Sequence, residues 1–518
     1  WLSQAVAALR NAAMEAGGVF PLADGGSLSL NDIENQTDLL LALARQAQVM
    51  ARKYDVVVTN PPYMGTRNMG TELKDYLSRE YVMGKGDLFA AFVARCFDLT
   101  APWGMSAMIT QHSWMFLSSY SRLRDFVLSQ QTITSMLHLG ARAFDSFGGE
   151  VVQSTTFVAR RGYIRGYRGA YCRLVDHDSS EAKNNAIAKE RNWYLFTTEN
   201  AKRIPGSPIA YWASESALMC YDRGQPLASL ADCRVGMTTG DNDRFLRLWH
   251  EIDMSTLGFG CSSRLEAYES GKRWFPYRKG GAYRKWYGNN KYVVDWSDDG
   301  SLIRNSGGSY PRAMEYYFRP GITWTDLSSS RFGVRLGEEG FLFDASGNTL
   351  FMRDPNMYDL ALAFLCSNVA WRFLEFVNST MHFQVGDISS LPYIEPDSGP
   401  VRLEVEALTR SCVSIARAEW SSFETSWDFS WHPVFVYGNR ASTIEEAFER
   451  WSESAEAQFQ QMKRNEEEIN RLFIQIYGLE DEMSPEVSDD DITIRRADRD
   501  RDVRSFISYA VGCMMGRY

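Results

Sequence analysis

The chain has 518 residues, 45% of them hydrophobic and 23% charged, which excludes a disordered, collagen-like or small disulfide-stapled protein and suggests about three domains. A net charge of −10 argues against a general polyanion binder, although nucleic-acid binding needs only a local basic face. The eight cysteines form no C-x-x-C pair and the histidines are scattered, so reduced thiols, a cytoplasmic location and no metal site are expected.

In chain order, Gln36–Arg52 places Leu39, Leu40, Leu43, Ala47 and Met50 at helical spacing and predicts an amphipathic helix. The β-branched run Tyr54–Thr59 predicts a buried strand, stopped by Asn60-Pro61-Pro62-Tyr63. Asp87–Leu99 predicts a helix with Phe89, Phe92, Val93, Cys96 and Phe97 inward, followed by a turn at Pro102-Trp103-Gly104 and a strand at Ser106–Thr110. Ser119–Leu128 reads as a helix. Thr132–Leu139 and Val151–Ala159 read as strands joined by a glycine-rich loop at Phe147-Gly148-Gly149. This alternation predicts a parallel α/β sheet with helices on both faces. Ligands of such sheets bind beyond the carboxyl ends of the strands, so Asn60–Tyr63 and Gln111–Trp114 are expected in one cleft.

After Gly162 the chain becomes loop-rich, aromatic and glycine-punctuated, which predicts a mixed, mostly β domain to about Tyr437. Ser442–Tyr477 reads as a long polar helix. Glu480–Asp491, with seven carboxylates and no base, reads as a solvated loop, and Phe506–Tyr518 as a packed helix. The expected domains are 1–162, 163–440 and 441–518. The best apolar run, Leu360–Trp371, is broken by Ser367 and Asn368 and is shorter than the roughly 20 residues a membrane span needs.

Asn60-Pro61-Pro62-Tyr63 carries the chemistry. The nitrogen of an aromatic amine or amide is a poor nucleophile because its lone pair is delocalised. Two acceptors aimed at the NH₂ group, the Asn60 side-chain oxygen and the Pro61 carbonyl, draw that lone pair out of conjugation. The consecutive prolines preorganise the loop. Tyr63 offers a face on which an extruded base stacks.

These residues carry a resemblance. Asp55–Gly65 resembles motif IV of the S-adenosylmethionine-dependent amino-methyltransferases. Gly86-Asp87-Leu88-Phe89 is similar to motif V, Ser106–Phe116 to motif VI and Thr134–Ala159 to motifs VII and VIII. A recognition domain after these motifs is the order of the γ-class adenine-N6 DNA methyltransferases. Thr239–Phe245, Gly347–Phe351, Phe383–Ile388 and Ile507–Met514 resemble the PglX-type enzymes of BREX phage-defence systems. The resemblance implies a partial class I, Rossmann-like methyltransferase sheet, then an α+β target-recognition domain and a C-terminal helical region. It implies S-adenosylmethionine as cofactor, with Asn60 and Phe89 beside it, and as partners double-stranded DNA and other BREX proteins. Asn60, Pro61, Pro62 and Tyr63 become the catalytic loop. Motif I, D-P-A-C-G-S-G, is absent, as is the acidic residue that holds the cofactor ribose, so the chain is expected to be the C-terminal part of such an enzyme and inactive alone.

The DNA-reading segment is expected at Lys272–Lys291, with seven bases, six aromatics and no carboxylate in twenty positions. Lys272, Arg273, Trp274, Arg278, Lys279, Arg284 and Lys285 are the candidates for phosphate and base contacts; the competing reading is an amphipathic sheet with aromatics inside and cations outside. Thr239 and Asn242 are expected in a polar loop facing the cleft, or in an ordinary turn. His112 and Trp114 are expected to flank the target base, with a structural histidine as the alternative for His112. Competing functions are a protein glutamine-N5 methyltransferase, which uses the same four-residue motif, a non-catalytic DNA-recognition module, a restriction-modification fusion, and cytosine-N4 methylation.

Overall fold

A computed structural model describes residues 2–15, 17, 19–21, 27–143, 152–328, 331–378, 380–396, 399–438 and 441–517. The chain divides into two units. The first comprises residues 1–115 and 119–199, the second 116–118 and 200–518.

The first unit opens with the helix Leu2–Glu15 and a small hairpin, β1 (Val19–Pro21) and β2 (Ser27–Ser29). Its main sheet has six strands: β3 (Tyr54–Thr59), β4 (Thr100–Gln111), β5 (Gln131–Gly140), β6 (Ser154–Arg161), β7 (Gly169–Arg173) and β8 (Trp193–Phe196), in the order β3-β4-β6-β5-β7-β8. β3 and β4 are parallel, but β6 enters antiparallel between β4 and β5. The sheet is therefore mixed, not parallel throughout as the β/α alternation implied. An antiparallel strand inserted between two others is the signature of a class I methyltransferase sheet, and the α/β fold expectation holds in that form. The expected loop at Phe147–Gly149 lies outside the described residues.

Local chemistry explains the elements. Asp87 caps the helix Leu88–Leu99, accepting from Phe89 N. That helix buries Phe89, Ala90, Val93, Cys96 and Phe97, as its apolar composition requires. The turn expected at Pro102–Gly104 is instead taken up inside β4. Trp103 adopts a positive φ of 64° there, and the register to β3 shifts. The helix expected at Gln36–Arg52 runs Leu30–Ala51, but Leu39, Leu40, Leu43, Val49 and Met50 are exposed, so its stripe is not buried. β3 is likewise less buried than expected, with Val56 and Val58 exposed by 62% and 72%. Among the described residues its outer edge has no partner strand.

The second unit contains β9 (Gln225–Pro226), β10 (Ala231–Arg234), β11 (Leu246–Leu248), β12 (Trp274–Arg278), β13 (Tyr292–Asp295), β14 (Gly321–Trp324), β15 (Val334–Gly337), β16 (Leu342–Phe343), β17 (Thr349–Met352) and β18 (Pro392–Tyr393). They form two four-stranded sheets, β10-β17-β14-β15 and β11-β13-β12-β16, and the pair β18-β9. One core joins the first of these sheets to the helices Tyr358–Cys366, Asn368–Val377, Pro400–Ser421 and Ile444–Tyr477. At its centre Tyr477 stacks on Phe364 at 5.7 Å, and its hydroxyl donates to Pro392 O.

Two of the expected boundaries move. The main sheet continues through β7 and β8, so the first unit ends near Glu199 and not at Gly162. The helix Ile444–Tyr477 shares the core of residues 204–420, so 441–518 is not a separate domain. The C-terminal helix, Arg499–Met514, buries Asp502 and Tyr509 but leaves Ile507, Val511, Met514 and Met515 exposed, so its end is not packed as expected. Among the described residues no single helix is long and apolar enough to cross a membrane; the apolar pair Pro355–Cys366 and Asn368–Val377 bends by 70° at Ser367 and is buried in the core.

Candidate active site and basic segment

β3 delivers Asn60 at its carboxyl end. Asn60 is exposed and its side chain makes no hydrogen bond among the described residues; Pro61 is buried and Pro62 exposed. The carboxamide oxygen is thus available to a ligand. Tyr63 is half-buried, with its ring edge-on to Phe89 at 5.9 Å, and Phe89 in turn lies 5.7 Å from Tyr120. The Tyr63 hydroxyl is buried, and burial, with the Asp87 carboxylate nearby, holds its pKa above the ordinary tyrosine value.

The loop is tied down from one side. Asp87 Oδ1 accepts from Met64 N at 2.9 Å and from Phe89 N at 3.3 Å. Leu88 N donates to Met64 O at 3.0 Å and Thr66 N to Gly86 O at 3.3 Å. One buried carboxylate therefore caps the helix Leu88–Leu99 and fixes the residue after Tyr63. The sequence signal for the cap was present, an Asp before an apolar helical run. The bond to Met64 joins residues 23 apart and has no such signal.

Several expected ligand contacts are corrected. Phe89 is fully buried, with its ring against Tyr63 and Tyr120. Trp114 is buried, donates to Thr110 Oγ1 at 3.1 Å and packs on Phe157. His112 is buried and its Nδ1 lies 2.9 Å from His138 Nε2. Burial lowers His112 to about 4, and burial plus the charges of His112, Arg173 and Lys183 lowers His138 well below its usual value. In this structure both His112 and Trp114 are buried.

The basic segment is corrected in the same way. Arg278 is buried, with its guanidinium donating to the carbonyls of Arg319 and Glu338. Arg284 is buried against Glu419, and Lys285 against Glu466, which also accepts from Trp286 Nε1 at 2.8 Å. Burial opposes the Lys285 charge, but the Glu466 carboxylate holds its pKa above the ordinary lysine value. Trp274 is buried, and Lys279 Nζ lies 3.4 Å from the buried Asp344. Of the seven candidates Lys272 and Arg273 are exposed and Lys279 is half-buried. Lys272 donates to Ser255 O, and Arg273, 59% exposed, bonds to Asp295 at 2.8 Å. For Arg284 and Lys285 the physical reason is that their carboxylate partners lie on helices 135 and 181 residues further along.

Thr239 is buried, and its hydroxyl donates to Asn242 Oδ1 at 2.7 Å; Asn242 is the exposed member of that pair. Gly240 has φ +77°, and a Cβ there would lie 2.7 Å from the backbone of Gly308, so this turn admits only glycine.

Residues 23–144 match the Eco57I restriction-modification methylase family. Over 509 residues the chain is 41% identical to the adenine-specific methyltransferase PglX of Lacticaseibacillus casei (strain Zhang), covering 95% of this chain and 42% of that protein. The chain is similar to the PglX-type adenine-specific methyltransferases. It is also 33% identical over 503 residues to the adenine-specific methyltransferase BrxX of Escherichia coli O9:H4 (strain HS), covering 92% of this chain and 40% of that protein. The chain thus spans about two fifths of the length of these curated relatives. The side chains present at the end of β3 fit the acceptor side of a methyl-transfer site.

Proposed function

We propose that this chain carries the acceptor half of an adenine-N6 DNA methyltransferase site, in an enzyme that marks double-stranded DNA within a cytoplasmic phage-defence system. The observation that carries the reading is the accessible Asn60 carboxamide at the carboxyl end of β3, in a loop held by two prolines and by Asp87. Asn60 Oδ1 and the Pro61 carbonyl accept from the exocyclic amine, localise its lone pair and orient it; the amine loses its proton after attack, so no strong base is required. Tyr63, anchored on Phe89, bounds one side of the base. S-adenosylmethionine is the donor we infer from the kinship, and the residues described here act on the acceptor.

The match to a restriction-modification methylase family and the large second unit support DNA over a protein glutamine as the substrate. Other proteins of the defence system are proposed partners. In the complete protein, Asn60→Ala is expected to abolish methylation of DNA while leaving DNA affinity within a few-fold of wild type. Substantial methyl transfer by the purified variant would refute the assignment.

A further inference from the structure

Arg278, Arg284 and Lys285 spend their charge inside the second unit, but another group of arginines lies on its surface. Thr238 and Tyr310 exchange both backbone hydrogen bonds, at 3.0 and 2.7 Å, so residues 231–238 run beside 310–316. Further along this pair of segments, the Tyr316 hydroxyl donates to Asp232 Oδ2 at 3.1 Å and accepts from Arg234 at 3.1 Å. Arg353 also bonds to Asp232, at 2.9 Å. One carboxylate is thereby satisfied by a phenol and two arginines. Phe351 packs on the Tyr316 ring at 4.7 Å, and the Arg319 carbonyl accepts from the buried Arg278 at 3.3 Å, so the turn that carries Tyr316 and Arg319 is anchored in the interior.

Two arginines of these segments are left over. Arg312 and Arg319 are both exposed. Among the described residues neither has an ion-pair partner: Asp232 is taken by Arg234 and Arg353, and Glu315, exposed in the same turn, bonds to neither. Each guanidinium instead lies over a tyrosine ring, Arg312 at 4.4 Å from the centre of Tyr310 and Arg319 at 5.5 Å from that of Tyr316. A ring face attracts the cation and sets its plane without using any of its N–H donors. The planar fork is then free to meet an oxyanion bidentately, the geometry that suits arginine to phosphate. Tyr310 is itself exposed, and the exposed Gly307 and Gly308 beside it present backbone without side chains, which lets another chain approach closely.

We propose that Arg312 and Arg319, carried on Tyr310 and Tyr316, hold backbone phosphates of the DNA duplex on the second unit. This rests on the DNA methyltransferase reading above and adds to it the residues that fix the duplex in place. Tyr316 is a positioning residue, since its hydroxyl links Asp232 to Arg234 while its ring carries Arg319. The contacts are to phosphate, so they set affinity and register and read no base.

The test is fluorescence anisotropy of a labelled mixed-sequence duplex titrated with the complete protein over a series of salt concentrations. Arg312→Gln with Arg319→Gln should lower the log–log salt slope by about 1.8, two phosphate contacts at about 0.9 each, and weaken binding several-fold on every sequence tried. Arg312→Lys with Arg319→Lys keeps both charges and should keep most of the slope. Arg464→Gln with Arg471→Gln removes the same charge from exposed positions on the helix Ile444–Tyr477 and should leave the slope unchanged. An unchanged slope in the first pair, or an equal fall in the control pair, would overturn the site. So would a loss confined to one sequence, which would make these residues base readers. Wild-type protein that binds and methylates DNA while the first pair keeps its slope refutes this site alone; wild-type protein that binds no duplex refutes the DNA reading beneath it. Should the first pair fail to fold, the two single Gln variants decide, each expected to lose about 0.9 in slope.

Discussion

At the scale of single residues, Asp87 does two things that substitution can separate. Serine caps a helix about as well as aspartate but is too short to reach Met64 N, whereas asparagine can do both. On the proposed activity, Asp87→Ser in the complete protein is expected to keep its melting temperature and lose about tenfold or more in kcat, because the loop carrying Asn60 is no longer held. Asp87→Asn should remain near wild type. Equal kcat in the two variants would show that the Met64 bond positions nothing; loss of activity in the unsubstituted protein would instead count against the methyltransferase reading itself. The His112–His138 pair gives a pH prediction. Both folded pKa values lie below the unfolded value of about 6.5, so the unfolded chain takes up protons first as the pH falls. The stability this pair contributes is therefore complete above about pH 6.5 and declines toward pH 4. Chemical denaturation at pH 7 and pH 4.5 should show a larger loss for the wild type than for His112→Gln.

At the scale of elements, Lys272–Lys291 is an interior strand and its flanking loops, bound to two distant helices through Glu419 and Glu466. Lys285→Met leaves Glu466 without its cation and is expected to cost about 3–5 kcal/mol in the stability of the second unit. It should leave the salt dependence of DNA binding unchanged. Replacing the surface residues Lys272 and Arg273 together should lower the log–log salt slope by at most about 1.8, since each phosphate contact is worth about 0.9. A larger fall after Lys285→Met than after the surface pair would mean that the segment opens on DNA. β3 makes a separate prediction. An exposed apolar strand face beside an unpaired edge invites strand-to-strand association. Val58→Lys should reduce light scattering by concentrated solutions of this chain without changing its far-ultraviolet dichroism.

At the scale of the whole molecule, the main core of the second unit draws only on residues from Ile204 to Ile494. Residues 200–518 expressed alone are therefore expected to unfold in one cooperative transition, slightly weakened by the loss of Phe116, which packs on Trp212 at 5.8 Å. A gradual melt without protected amides in the helix Ile444–Tyr477 would contradict this. The sequence by itself determined the local features: the β3 run and its proline-fixed Asn60-Pro61-Pro62-Tyr63 loop, the capped helix from Leu88, and the long amphipathic helix ending at Tyr477. Each is set by neighbours within a few residues, through β-branching, proline geometry, capping or 3.6-residue spacing. Only the tertiary structure decided the antiparallel insertion of β6, the burial of Arg278, Arg284 and Lys285, and the enclosure of His112 and Trp114. Strand order depends on which edges meet. The fate of a cation depends on whether a carboxylate arrives beside it, and for Arg284 and Lys285 those carboxylates lie 135 and 181 residues away along the chain.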